Sequence, residues 1–154
     1  MNIAQDLLKE LFDYKDGQLI RKVKTSNRVN IGDVVGISNK SGYLTCNVSG
    51  KKHYIHRLVW MWHNGDIPEG LQIDHINGEK DNNNIENLRL VTSQENSFNR
   101  LKAKGYTRWE RDNNWKAQIQ VNQKMINLGY YKTESDARNA YIEAKNQYHT
   151  IQAH

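Results

Sequence analysis

Between two short apolar runs, "LQIDH" at 71–75 and "LRLVT" at 88–92, lie twelve residues, "INGEKDNNNIEN", whose only apolar members are Ile76 and Ile85. No other feature restricts the fold of this chain as strongly. A stretch this polar cannot be a buried element, so the chain must leave its core after His75 and re-enter it at Leu88. The two flanking runs have the length and composition of short strands. Thr92 and Glu95 then stand at capping-box spacing, which predicts a helix starting at Ser93 in "SQENSFNRLKAK". Strand, loop, strand and helix in that order can bring together residues about twenty positions apart.

The side chains at those places matter. Asp74 and His75 end the first strand, and Asn96 falls within the first turn or so of the helix. Amides are poor nucleophiles and poor proton carriers, but they stiffen loops and offer a neutral oxygen to a hard cation. One carboxylate and one amide carbonyl suit a magnesium-like ion, with manganese as an alternative, its other positions filled by water and phosphate oxygens. A neutral imidazole beside them can take a proton from an attacking water. Such an ion would stabilise charge on a leaving 3′ oxygen. The reading requires the Asn96 carboxamide to lie near the Asp74 carboxylate and the imidazole to be reachable by water.

Charge layout points the same way. Of 154 residues with formal charge +5, residues 20–60 carry eight Lys/Arg against one Asp, 61–99 carry two against seven acids, and 100–154 carry ten against five. Basic flanks suit a polyanion such as nucleic acid. An acidic middle does not, unless a cation reverses the local sign. A solvated surface with accidental clustering explains the charges equally well. A mean hydropathy of −0.89 and the lack of any long apolar run predict no membrane span. The acidic, amphipathic start "MNIAQDLLKELF" is unlike a signal peptide. The lone Cys46 excludes an internal disulfide and a cysteine zinc knuckle, so a reducing, cytoplasmic setting is expected.

Elsewhere the pattern predicts a short helix over 3–14, with Ile3, Leu7, Leu8, Leu11 and Phe12 on one side, then an Asp16-Gly17 turn. Short strands with turns at Ser41-Gly42 and Ser49-Gly50 follow. A buried helix in "HRLVWMWHNG" is closed by Asn64-Gly65. A packing role is expected for His56 and exposure for His53. Arg57 is expected to contact DNA by reaching a phosphate, the alternative being that it simply covers the helix. From Gly105 three strands, "YTRWERD", "WKAQIQV" and "KMINLGYY", precede a helix capped by Thr133, whose stripe is Ala137, Ala140, Tyr141, Ala144 and Tyr148. That helix covers one sheet face. The other carries Lys116, Gln118 and Gln120 and is free to bind. Trp109, Trp115, Tyr130 and Tyr131 are expected in the core.

"IDHINGEKDNNNIENLRLVTSQEN", led by "HRLVW", resembles the HNH endonuclease family of the phage and intron-encoded homing type, over about forty residues. The resemblance implies an α+β chain with a ββα-metal (His-Me finger) core, placed at 56–100 within a nuclease domain of 1–100. It implies His75 as general base, Asp74 and Asn96 as metal ligands, and Asn87 pinning the loop and orienting His75. The family's final histidine is replaced by Asn96, as is common in the phage branch. Relatives stabilised by zinc carry cysteine pairs, which this chain lacks, so no structural zinc is expected.

Residues 105–150, through "GYTRWERDNNWKAQIQV" and "INLGYYKTESDARNAY", resemble the plant Apetala/ethylene-response-factor DNA-binding domain, a three-stranded antiparallel sheet plus one helix. In that family the sheet lies in the major groove. The resemblance implies Arg108, Lys116, Gln118, Gln120 and Asn127 as DNA contacts, although Glu110, Asp112 and Asn127 replace other contact residues, so the plant target sequence does not carry over. Together the two resemblances imply a metal-dependent endonuclease acting on double-stranded DNA in a bacterial or phage-infected cell, as monomer or homodimer, nicking at a site read by the C-terminal sheet. The alternative is a non-catalytic DNA-binding regulator with a degenerate nuclease core.

Overall fold

The computed structural model describes residues 3–98 and 104–150, and the chain falls into two compact units that part after Thr92. The sequence places the boundary at 100–105. The helix predicted from Ser93 is counted with the second unit.

In the first unit α1 (Gln5–Leu11) stops one turn earlier than the apolar periodicity suggests. Phe12 opens β1 (Phe12–Lys15) instead, because Asp16 and Gly17, at φ 48° and 80°, close a tight hairpin that pairs β1 with β2 (Gln18–Arg21). Such turns need positive φ at both central positions, which Asp and Gly tolerate. Strand pairing thus takes Phe12 from the helix without removing it from the core, where it is 2% exposed. β3 (Val34–Val35) joins β2. β4 (Ile37–Ser38), β5 (Leu44–Val48) and β6 (Lys51–Tyr54) form a second small antiparallel sheet, turning at Ser49-Gly50.

The centre of this unit is α2 (Ile55–Asn64). Ile55, Leu58 and Val59 are all but fully buried, each contributing about 1.5–3 kcal/mol from burial. They pack with Leu8, Phe12, Leu19 and Ile73. Trp62 Nε1 donates to the Phe12 carbonyl at 3.0 Å, and Gln5 Nε2 donates to the Trp62 carbonyl at 2.9 Å, so α1 and β1 are stitched to α2. Gly65, at φ 80°, ends the helix and donates its N–H to the Met61 carbonyl. β7 (Leu71–His75) and β8 (Leu88–Thr92) pair antiparallel in full register, from Leu71 opposite Thr92 to His75 opposite Leu88. The polar loop between them contains one 3-10 turn, Ile85–Asn87.

The second unit begins with α3 (Ser93–Phe98). It continues with a sheet in which β10 (Asn114–Val121) lies between β9 (Tyr106–Trp109) and β11 (Lys124–Tyr131), followed by α4 (Glu134–Tyr148). Thr133 caps α4, its hydroxyl accepting from the Asp136 N–H at 3.1 Å. Ile119 of β10 packs with Tyr141 and Ala144 of α4 in a small core, and Ala117 and Ala137 are fully buried as well. Tyr148 departs from the predicted stripe and is exposed. Gly105 has no room for a side chain, because a Cβ there would sit 1.9 Å from the Tyr141 ring. The sequence "NRLKAKG", 99–105, is expected to be a linker that follows the minor groove or backbone of DNA, and most of it, 99–103, lies outside the described residues. No helix among the described residues is long and apolar enough to cross a membrane.

Candidate functional site

β7 carries two polar groups into the protein interior. Asp74 and His75 are 8% and 4% exposed, although the residues around them in the loop are largely solvated. Burying a carboxylate costs free energy unless it is paired, and the register supplies the pair: Arg89 of β8 stands directly opposite Asp74. Its Nε and Nη2 both donate to Asp74 Oδ2, at 3.0 and 2.8 Å. This partner is readable from the sequence by aligning "LQIDH" end to end against "LRLVT", an alignment the motif reading does not use.

The imidazole of His75 is enclosed. Its ring centroid lies 5.0 Å from that of His56, edge to face, and 6.0 Å from that of Tyr43. Its Nε2 lies 3.1 Å from Asn83 Oδ1. Asn83 is itself 2% exposed and donates its Nδ2 to the Asp81 carbonyl at 3.2 Å. The expected solvent-facing imidazole is therefore a nearly buried one. The cause is the aromatic wall of Tyr43, just before β5, Tyr54 at the end of β6 and His56 at the start of α2.

Asn87, expected both to pin the loop and to orient His75, pins the loop from both sides. Its Oδ1 accepts from the Asn77 N–H at 3.1 Å. Its Nδ2 donates to Asn77 Oδ1 at 3.0 Å and to the Asn82 carbonyl at 2.8 Å. The side chain that meets His75 Nε2 is Asn83, the middle of three consecutive asparagines, and no sequence signal distinguishes it from its neighbours. A second support comes from the N-terminal hairpin. The Ile85 N–H donates to Tyr14 Oη at 3.0 Å, and a Cβ at Gly17 would lie 2.8 Å from the Asn84 amide nitrogen.

His56 is buried as expected, and its Nδ1 meets no hydrogen-bond partner among the described residues. Burial, reinforced by the neighbouring His75 and Arg57, pushes its pKa down to about 3. It is a neutral ring at any working pH. His53 is half-buried rather than exposed, and Arg57 is exposed on α2.

Among the described residues no three His, Cys, Asp or Glu side chains stand close enough to share an ion. The donors of the expected metal site, one carboxylate and amide oxygens, are hard, which fits magnesium better than a softer metal. Asp74 lies in the first unit and Asn96 in the second, where it is half-buried on α3.

In the second unit Lys116 stands opposite Tyr130, Gln118 opposite Asn127 and Gln120 opposite Met125, so these side chains share one face. Arg108 does not join them. It pairs with Trp115, on the α4-covered side, with its guanidinium 5.8 Å from the Trp115 ring and donating to Asn113 Oδ1. The same alternation corrects the placement of two aromatics. Trp109 and Tyr130 lie on the Lys116 face, their rings 5.6 Å apart with Lys116 Nζ 5.6 Å from Trp109, and Tyr130 is 48% exposed. Trp115 and Tyr131 are half-buried.

Residues 53–98 match the HNH endonuclease family model. The chain is 36% identical over 105 residues to an uncharacterized HNH endonuclease of Acanthamoeba polyphaga mimivirus, covering 66% of this chain and 56% of that protein. It is 32% identical over 78 residues to the uncharacterized gene 5.3 protein of Enterobacteria phage T3, covering 45% of this chain and 77% of that one. DNA endonuclease I-HmuI of Bacillus phage SP01 is 44% identical over 52 residues, covering 34% of this chain and 30% of that enzyme. The solved structure of I-HmuI, described as DNA binding and cleavage by an HNH homing endonuclease, matches with a TM-score of 0.44, covering 56% of this chain and 48% of that one. The chain thus spans about half or less of the mimivirus and SP01 proteins. The segment that holds His56, Asp74, His75, Asn83 and Asn87 is a domain of the HNH endonuclease family.

Proposed function

We propose that this chain is a metal-dependent DNA endonuclease of the homing type that nicks duplex DNA. The observation that carries the reading is the end of β7. There an Asp-His pair is held on a hairpin whose loop is braced by Asn87, Tyr14 and Gly17, inside the HNH-matched span. Such bracing fixes an imidazole closely enough for proton transfer.

In this reading His75 takes a proton from a water. The water oxygen bonds to phosphorus and the P–O3′ bond breaks, leaving a 5′ phosphate and a 3′ hydroxyl protonated from solvent. HNH nucleases generally depend on a divalent metal. Asp74 and Asn96 would hold it, and when bound it would supply compensation for charge on the leaving oxygen. Arg89 shares the Asp74 carboxylate, so it sets how strongly that ligand attracts a cation. Because His75 is 4% exposed, the reading needs its residual access to include the basic ring nitrogen. The outer sheet face of Lys116, Gln118, Gln120 and Asn127 would supply recognition in the manner of an Apetala/ethylene-response-factor domain, Gln118 and Gln120 being able to read adenine.

The near-burial of His75 and the Arg89 bonds on Asp74 favour a second reading, a DNA-binding regulator with a degenerate nuclease core. A plasmid-nicking assay with magnesium, with EDTA and with folded His75→Ala separates the two. The nuclease reading expects nicked circles from wild type with magnesium only, and their loss by about 100-fold or more in the variant. A folded wild type that leaves the plasmid supercoiled overturns it.

A further inference from the structure

We propose that Asn83 is the positioning residue that selects the tautomer of His75. This rests on the nuclease reading for its catalytic meaning, but not for its structural content. The Asn83 amide can be oriented in only one way. Its Nδ2 faces the Asp81 carbonyl at 3.2 Å, and turning the amide over would set two oxygens against each other. Oδ1 therefore faces His75 Nε2, at 3.1 Å. An amide oxygen only accepts, so Nε2 carries the proton and donates. In a neutral imidazole the lone pair then resides on Nδ1. The basic atom of the proposed general base is Nδ1.

The selection is built in. Asn83 is 2% exposed, among the most buried side chains of the molecule, which a loop asparagine without a task has no reason to be. Its backbone N–H also donates to the Asp81 carbonyl, at 3.1 Å, and the preceding carbonyl, of Asn82, is held by Asn87 Nδ2. On the following side the loop is fixed by Tyr14 at Ile85 and by the seat of Gly17 under Asn84. Asn87 thus acts on His75 through Asn83.

The test reads the imidazole directly. Nitrogen-15 NMR of the full chain with labelled histidine, followed upward in pH until the His75 ring signals stop moving, is expected to show a protonated Nε2 and an unprotonated, pyridine-like Nδ1. In Asn83→Leu the acceptor is gone and the resonances should move towards a tautomer mixture. Nicking by Asn83→Leu should fall by roughly tenfold or more in kcat with KM little changed. A wild-type spectrum with the proton on Nδ1, or one that Asn83→Leu leaves unmoved, overturns the proposal. Should Asn83→Leu fail to fold, the wild-type spectrum still decides. The two readings fail separately: a wild type that never nicks removes the nuclease while the tautomer stands, and a nicking enzyme with the proton on Nδ1 removes only the role of Asn83.

Discussion

Arg89 shows how one cross-strand neighbour makes a buried carboxylate tolerable. Its two bonds to Asp74 Oδ2 are charge-assisted, the stronger class of hydrogen bond, and the Arg89 side chain is about three-quarters buried. Arg89→Ala should lower stability by about 1–3 kcal/mol, read as an earlier urea midpoint with unchanged slope. His56 gives the second prediction. Its folded pKa of about 3 lies below the ordinary 6.5, so between those values the unfolded chain binds a proton that the folded chain refuses. Stability from this group is complete above pH 6.5 and is lost as pH falls towards 3, by about 1.4 kcal/mol per unit. His56→Phe, which keeps a flat ring and leaves no polar atom unpaired, should flatten that acid limb in melts from neutral pH downward. At this scale the sequence was partly legible. Asp74, His75 and Asn87 stand out by type and spacing. Asn83 does not, because its importance comes from which of three identical neighbours turns inward.

Among elements, the turns were the most legible. Asp16-Gly17 and Ser49-Gly50 combine residue types that accept positive φ, and both close hairpins. Two errors have plain causes. The helical stripe of 3–14 runs on through Phe12 although pairing with Arg21 ends the helix sooner. Trp109 and Tyr130 read as core because large aromatics usually are, yet alternation along β9 and β11 turns them to the Lys116 face. Gly17 offers the sharpest test of the hairpin as a brace. Gly17→Ala forces a Cβ against Asn84 backbone and a left-handed φ on alanine. A loss of about 1–3 kcal/mol in stability is expected, together with slower nicking at temperatures where the variant is fully folded. A variant that is less stable but nicks at the wild-type rate when folded would show that the hairpin supports the fold alone.

At the scale of the whole molecule, charge is the quantity to measure. If the second unit contributes to DNA affinity, the full chain should bind duplex with a steep salt dependence. Lys116→Ala should reduce the slope of log K against log salt by about one. Arg108→Ala should change it less, because that guanidinium is engaged by Asn113 and Trp115 on the opposite face. A reversed order would place the bound phosphates along the first strand.

The bond from the Ile85 amide to Tyr14, seventy-one residues away, bears on modular engineering. A chimera built from 53–98 alone would carry every residue of the recognisable signature and still arrive with that amide stranded and the loop unshored. The portable cassette has to start at α1, well upstream of where the motif announces itself.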